Sequence, residues 1–336
     1  MYNHYDVVVV GAGCIGAATA LELSKCSQLK VLVIDEAEVA TKATGKSGGM
    51  VRVYHQSPEL MELARLSISS FWKEEFQETG SFYFVPEAQL EEARKNVQEL
   101  KTLGYAIELL NPTEAQELFP QYDFSFSYIV YEPRAGFVDP QSCAKKWIDQ
   151  ALRLGVKLQL QTKLIGVNYE NDLLNLSTSK GSIKTKVVSL ATGAGTLELL
   201  EKHQIDLPLK VKELTVQASK ISAGQVPMPF YFDYSDLSFA GMRNTTDGIE
   251  LLSSHAGVPA RLTHLKDMTA KSAYSEFDAY APGRQGHLTF VSSLPGLFVS
   301  TGWGGTAFKL SPAIGKHACE MIKNYFGQRM NHVGLN

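Results

Sequence analysis

The sequence has few cysteines, and those few are scattered. Cys14, Cys26, Cys143 and Cys319 form no CxxC pair and fall at no zinc-ligand spacing with histidine. That argues against a zinc centre or a disulfide-stapled secreted fold and for a reduced, cytoplasmic protein. Long apolar runs are also missing, so no segment has the length of a membrane span. The opening residues, MYNHYDVVVVGAG, lack the basic start, apolar stretch and small-residue cleavage site of an export signal. Neither charge sign dominates: 32 basic residues against 35 acidic leave a net charge of −3, which gives no footing for a nucleic-acid partner. Without repeats or low-complexity segments, a solenoid is excluded.

What is present suits a globular enzyme. At 336 residues and 44% hydrophobic content the chain can bury an extensive core, and its length fits two interleaved lobes sharing one ligand. Strand signals at Asp6–Val10 and Lys30–Asp35 flank a helical pattern from Ile15 to Ser24, a β-α-β unit at the start of the chain. Helical spacing follows within residues 57–78 and 87–104, and again from Thr113 to Leu118 after Pro112. Asp139-Pro140 caps another amphipathic helix ending near Gly155. Residues 81–85, 127–131, 157–161, 165–169 and 186–191 read as strands, and 209–254 as an aromatic, strand-rich sheet. The chain closes with a strand at 297–300 and a helix over 311–325.

Gly11-Ala12-Gly13-Cys14-Ile15-Gly16 fits GxGxxG directly after a strand and at the start of a helix. Gly11 permits the tight turn, Gly13 lets backbone approach a pyrophosphate, and Gly16 lets helix and strand pack closely. The helix N-terminus offers free N–H groups to phosphate. Asp35, with Glu36 beside it, ends the next strand at the distance where a carboxylate meets an adenosine ribose. This signature by itself leaves FAD and NAD both open.

Two later blocks separate them. Val187 to Gly195 (VVSLATGAG) and Gly302 to Gly315 (GWGGTAFKLSPAIG), taken with Gly11 to Leu23, resemble the D-amino-acid oxidase family on its sarcosine and glycine oxidase branch, and the resemblance spans nearly the whole chain. It implies an α/β fold: an FAD-binding Rossmann-like domain (1–80, 135–208, 280–336) interleaved with an antiparallel-sheet substrate domain (81–134, 209–279). It also implies an FAD-dependent oxidoreductase acting on a small amino acid or amine, with oxygen or a quinone as electron acceptor. Cofactor contacts are then expected from Ala191, Thr192 and Gly193, from Gly302, Gly304, Gly305, Thr306 and Lys309, and from Ser47, Gly48 and Gly49, where small residues let backbone pass close to the flavin.

On the substrate side the resemblance places Arg52 as a carboxylate clamp, a job its planar fork suits. A surface or domain-bridging arginine fits the spacing equally well. A one-residue gap leaves His55 as a competing match. Lys309 matches a lysine that binds substrate carboxylate, and a cation near a helix start is otherwise disfavoured. No cysteine stands in Phe277 to Pro282, where some relatives attach FAD, so non-covalent FAD is expected. Glu250 stands where an oxygen-activating lysine is expected, which leaves oxidase and dehydrogenase both open. Tyr234, Arg243 and His255 are further pocket candidates. Two alternatives remain: a 2-hydroxy-acid dehydrogenase, for which His55 would be the base, and a flavin-binding accessory protein.

Overall fold

In the computed structural model the described residues are 4–124, 127–221, 228–233, 238–245, 248–254, 259, 261–262 and 268–333. Among them the helices are α1 Cys14–Ser24, α2 Pro58–Phe71, α3 Leu90–Thr102, α4 Pro112–Leu118, α5 Pro140–Arg153, α6 Gly195–Lys202 and α7 Ala307–Val333. The chain divides into two compact units: Met1–Ser47, Asp139–Glu213 and Glu276–Asn336 form the first, Gly48–Val138 and Leu214–Ser275 the second. Residues 48–80, assigned from sequence to the cofactor lobe, thus pack with the strand-rich unit.

The first unit is built on a mainly parallel sheet. Lys157–Gln159, Val31–Ile34, His4–Val10, Gly181–Leu190 and Leu297–Thr301 lie side by side in parallel, and the antiparallel strand His287–Phe290 closes one edge. A hairpin, Leu164–Glu170 with Leu173–Thr178, extends the start of Gly181–Leu190. The central strands read VVVV and VLVI with every residue buried, as a sheet covered on both faces requires. Against it α1 packs between α5 and α7. A side chain at Gly315 would put a Cβ 2.6 Å from the Ala18 backbone, so this glycine sets how closely α7 meets α1.

Helix starts follow the local chemistry. Asp139 accepts the Ser142 N–H at 2.6 Å to cap α5, with Pro140 in the first turn. Asn111 and Glu114 form a reciprocal capping box on α4. The last helix departs from the expectation: α7 starts at Ala307, after a 3-10 turn at Gly304–Thr306, and runs through Pro312. A proline there cannot donate to the carbonyl four residues back. The Ser311 hydroxyl donates to that carbonyl, Phe308 O, at 2.7 Å, so the helix continues.

The second unit carries an antiparallel-rich sheet ordered Met268–Tyr280, Lys210–Ile221, Gly248–Ser253, Ser238–Thr245, Phe230–Asp233, Ser81–Val85, Tyr128–Glu132 and Glu108–Leu110. Phe82, Phe84, Tyr122, Phe124 and Tyr231 fill its core with mostly edge-to-face rings. A small sheet of two-residue strands, Met50–Val51, Gly136–Phe137 and Gln77–Glu78, has no sequence signature.

Candidate functional site

The glycine turn sits at the C-terminal end of the His4–Val10 strand, the edge of a parallel sheet where ligands bind. Gly11 has φ +106°, and a Cβ there would lie 2.4 Å from the Ala191 carbonyl oxygen. At Gly16 a Cβ would stand 1.8 Å from Gly11 O. Both positions therefore admit only glycine. The N-cap of α1, Gly13, has no side chain to bond the helix start, and no acid stands in the first turn, which leaves the positive dipole end for an anion. The Thr44 hydroxyl accepts the Cys14 N–H at 3.0 Å and holds the next loop against this turn.

Asp35 accepts the Ala12 N–H at 2.6 Å on one oxygen and the Ala37 N–H at 2.8 Å on the other. Each oxygen keeps a lone pair for a hydroxyl. Glu36 pairs with Lys42, whose hydrogen bond holds its carboxyl below the usual range. On the neighbouring strand Ala191 N donates to Val10 O at 2.8 Å, and Gly193 O accepts from Thr301 Oγ1 at 3.3 Å, which draws the second and third glycine-bearing segments to the same sheet edge. The Thr192 and Thr196 hydroxyls bond each other at 2.9 Å.

The third glycine block is held by close contacts. Gly302 has φ +86° and its carbonyl accepts the Ala281 N–H at 2.9 Å. The Tyr280 ring lies against Gly304, where a Cβ would come within 2.1 Å of it. Thr306 Oγ1 turns back to Trp303 O at 2.6 Å. Because α7 starts at Ala307, Lys309 falls in its first turn, and it is buried. Nearby Asp278 is pushed up to about 6 by desolvation, with Glu276 adding repulsion.

In the second unit Arg52 is 6% exposed. Its Nη1 donates to the Tyr54 carbonyl, and its guanidinium faces the Tyr83 and Phe232 rings at 5.1 and 5.6 Å. Among the described residues no other acceptor meets its five N–H donors. Burial pulls its pKa down, opposed by Tyr83, Glu132 and Tyr54. Glu132 accepts the Val53 and Tyr54 N–H groups at 2.6 and 2.9 Å, clamping the backbone just beyond Arg52. His55 is buried, and its carbonyl accepts from Asn96 Nδ2 at 3.3 Å.

Glu250 is also buried, and it is not an isolated acid. Arg243, opposite it across the strand pair, donates from Nε and Nη2 at 3.2 and 2.9 Å, and Lys271 Nζ reaches its other oxygen at 3.3 Å. Three side chains thus share a formal charge of +1 where the sequence alone shows an acid.

Ser47 lies in the first unit, its N–H on Thr44 O at 3.2 Å, whereas Gly48 and Gly49 begin the second. Gly49 has φ +71° and accepts the Val138 N–H at 3.1 Å. Tyr234 and His255 lie outside the described residues. His203, given no role from sequence, accepts the Val167 N–H and is structural. Sequence reasoning missed Thr44, Glu132, Lys271 and Asp278. Arg243, a pocket candidate from sequence, meets Glu250 because the two stand opposite in the strand register.

A family model described as FAD dependent oxidoreductase matches residues 6–321. Monomeric sarcosine oxidase of a Bacillus strain is 25% identical over 222 residues, 62% of this chain and 56% of that protein, so the match spans little more than half of the relative's length. L-proline dehydrogenase from P. horikoshii has the same fold at a TM-score of 0.84 and 20% identity, covering 96% of this chain and 94% of the other. Glycine oxidase from Bacillus cereus follows at 0.76 and 21%, covering 95% of each. With three glycine-bearing segments at one parallel-sheet edge and a family match over most of its length, the chain belongs to the FAD-dependent oxidoreductases of the DAO family.

Proposed function

We propose that this protein oxidises a small, carboxylate-bearing amino acid or secondary amine at the carbon next to nitrogen and releases an imine. Arg52 carries this reading. A buried guanidinium with one hydrogen bond among the described residues is costly unless an anion meets it, and a carboxylate matches its fork. Arg52 is assigned to the substrate carboxylate.

The first unit's residues fit FAD held non-covalently. The glycine turn and the start of α1 would hold the pyrophosphate, and the remaining lone pairs of Asp35 would accept the ribose hydroxyls. FAD supplies, when bound, the acceptor for a hydride. Positive charge beside a bound substrate amine lowers its pKa, so the free base is present without a dedicated catalytic base. Holding the carboxylate fixes which carbon faces the cofactor, converting a bimolecular encounter into an oriented one.

Mixing the purified yellow protein anaerobically with amino acids, secondary amines and 2-hydroxy acids tests the reading. Amines bearing a carboxylate should bleach the flavin absorbance. Bleaching by hydroxy acids alone would instead support the hydroxy-acid reading, and bleaching by none would remove both. Reoxidation with oxygen against a quinone analogue then assigns the acceptor.

A further inference from the structure

Cys26 follows the C-terminal end of α1 and Cys319 lies on α7, both within the first unit. Separated by 293 residues in sequence, their sulfurs stand 3.9 Å apart. A disulfide needs about 2.05 Å, so rotation of the side chains must close about 2 Å. The two thiols differ in access. Cys319 is buried, whereas Cys26 is half-buried at a helix end. Burial and the neighbouring Cys26 sulfur push the Cys319 thiol up to about 12, so Cys319 keeps its proton and can donate it to Cys26. The charges around them are Glu22, paired with Lys25 at 2.6 Å, and Lys323. The other two cysteines are buried, and burial raises Cys14 to about 11.

We propose that Cys26 and Cys319 form an oxidisable dithiol site, in which Cys26 reacts with a hydroperoxide and Cys319 resolves the product to an intramolecular disulfide. In the first step the Cys26 thiolate attacks a peroxide oxygen. An S–O bond forms, the O–O bond breaks, and water leaves after protonation. In the second step the Cys319 sulfur loses its proton to the departing hydroxyl and attacks the Cys26 sulfur; the S–O bond breaks, and a second water leaves. Two thiols and one hydrogen peroxide give one disulfide and two waters. The bond ties the end of α1, whose start bears the glycine turn, to α7, whose first turn bears Lys309. Peroxide exposure would thereby staple the two helices that frame the cofactor turn. The site does not depend on which donor the enzyme oxidises.

The test treats the full-length holoprotein with a small molar excess of hydrogen peroxide, quenches with an alkylating reagent and counts the thiols modified after denaturation. Two of the four thiols should be lost, the protein should lose two hydrogens in mass, and non-reducing electrophoresis should show a faster band that dithiothreitol reverses. Cys26→Ser should abolish the faster band, Cys319→Ser should leave a sulfenic acid on Cys26 that dimedone traps, and Cys143→Ser should still form the faster band. Four thiols still alkylated after treatment would overturn the proposal, and so would a disulfide found only between chains or involving Cys14 or Cys143.

Discussion

Replacing Asp278 by asparagine should stabilise the protein above about pH 6 and change nothing below about pH 4. The carboxyl is lifted from 3.8 to about 6, first by burial and then by Glu276. An acid whose folded pKa lies above its unfolded value binds its proton more tightly when folded, so stability falls as pH rises through this window. Below about pH 4 both states are protonated and the group is neutral in its effect; above about pH 6 the full penalty of an ionised, poorly solvated carboxylate remains. A rise of that size corresponds to about 3 kcal/mol, an upper figure. For a chain of this length it amounts to about 4 °C in melting temperature if unfolding is cooperative. Thermal unfolding of wild type and Asp278→Asn at saturating FAD, followed from about pH 4 to about pH 8, reads the difference. A gap that opens with rising pH supports the account; a constant gap, or a less stable variant at the alkaline end, refutes it.

Other substitutions separate packing from chemistry. Gly16→Ala places a methyl group 1.8 Å from Gly11 O, so the variant should purify colourless and fail to take up FAD in a fluorescence-quenching titration. Gly315→Ala should cost about 1–3 kcal/mol by forcing α7 off the Ala18 backbone, measured by denaturant unfolding. Asp139→Ala removes the α5 cap and should cost about 1 kcal/mol without affecting FAD uptake. Glu250→Gln leaves Arg243 and Lys271 without their shared anion; it should lower the melting temperature and change how fast reduced protein reacts with oxygen.

The parts legible from sequence were those whose chemistry is local. The tight GxGxxG turn between strand and helix and the cap Asp139 each announce themselves within a few residues, and the structure has both. The helix expected over 311–325 starts earlier, at Ala307, and continues through Pro312 because the Ser311 hydroxyl bonds Phe308 O, a side-chain bond invisible to a propensity argument. Residues 48–80 were misplaced because their pairing runs through two-residue strands, too short for any period to show. Glu250 was read correctly as an acid in a strand, but its electrostatic meaning depends on Lys271, 21 residues away on another strand. Nothing in the sequence brings Cys26 to Cys319; only the packing of α1 on α7 does.

The central claim is that a substrate carboxylate meets the buried guanidinium of Arg52. Its most direct test is the anaerobic rate of flavin reduction by N-methylglycine and by its carboxylate-free counterpart, in wild type and in Arg52→Met. The account predicts that wild type strongly prefers the carboxylate and that the variant, with FAD still bound, loses most of that preference, by about 10- to 100-fold for a lost charge-assisted pair. An unchanged preference in a variant that keeps its flavin would contradict it.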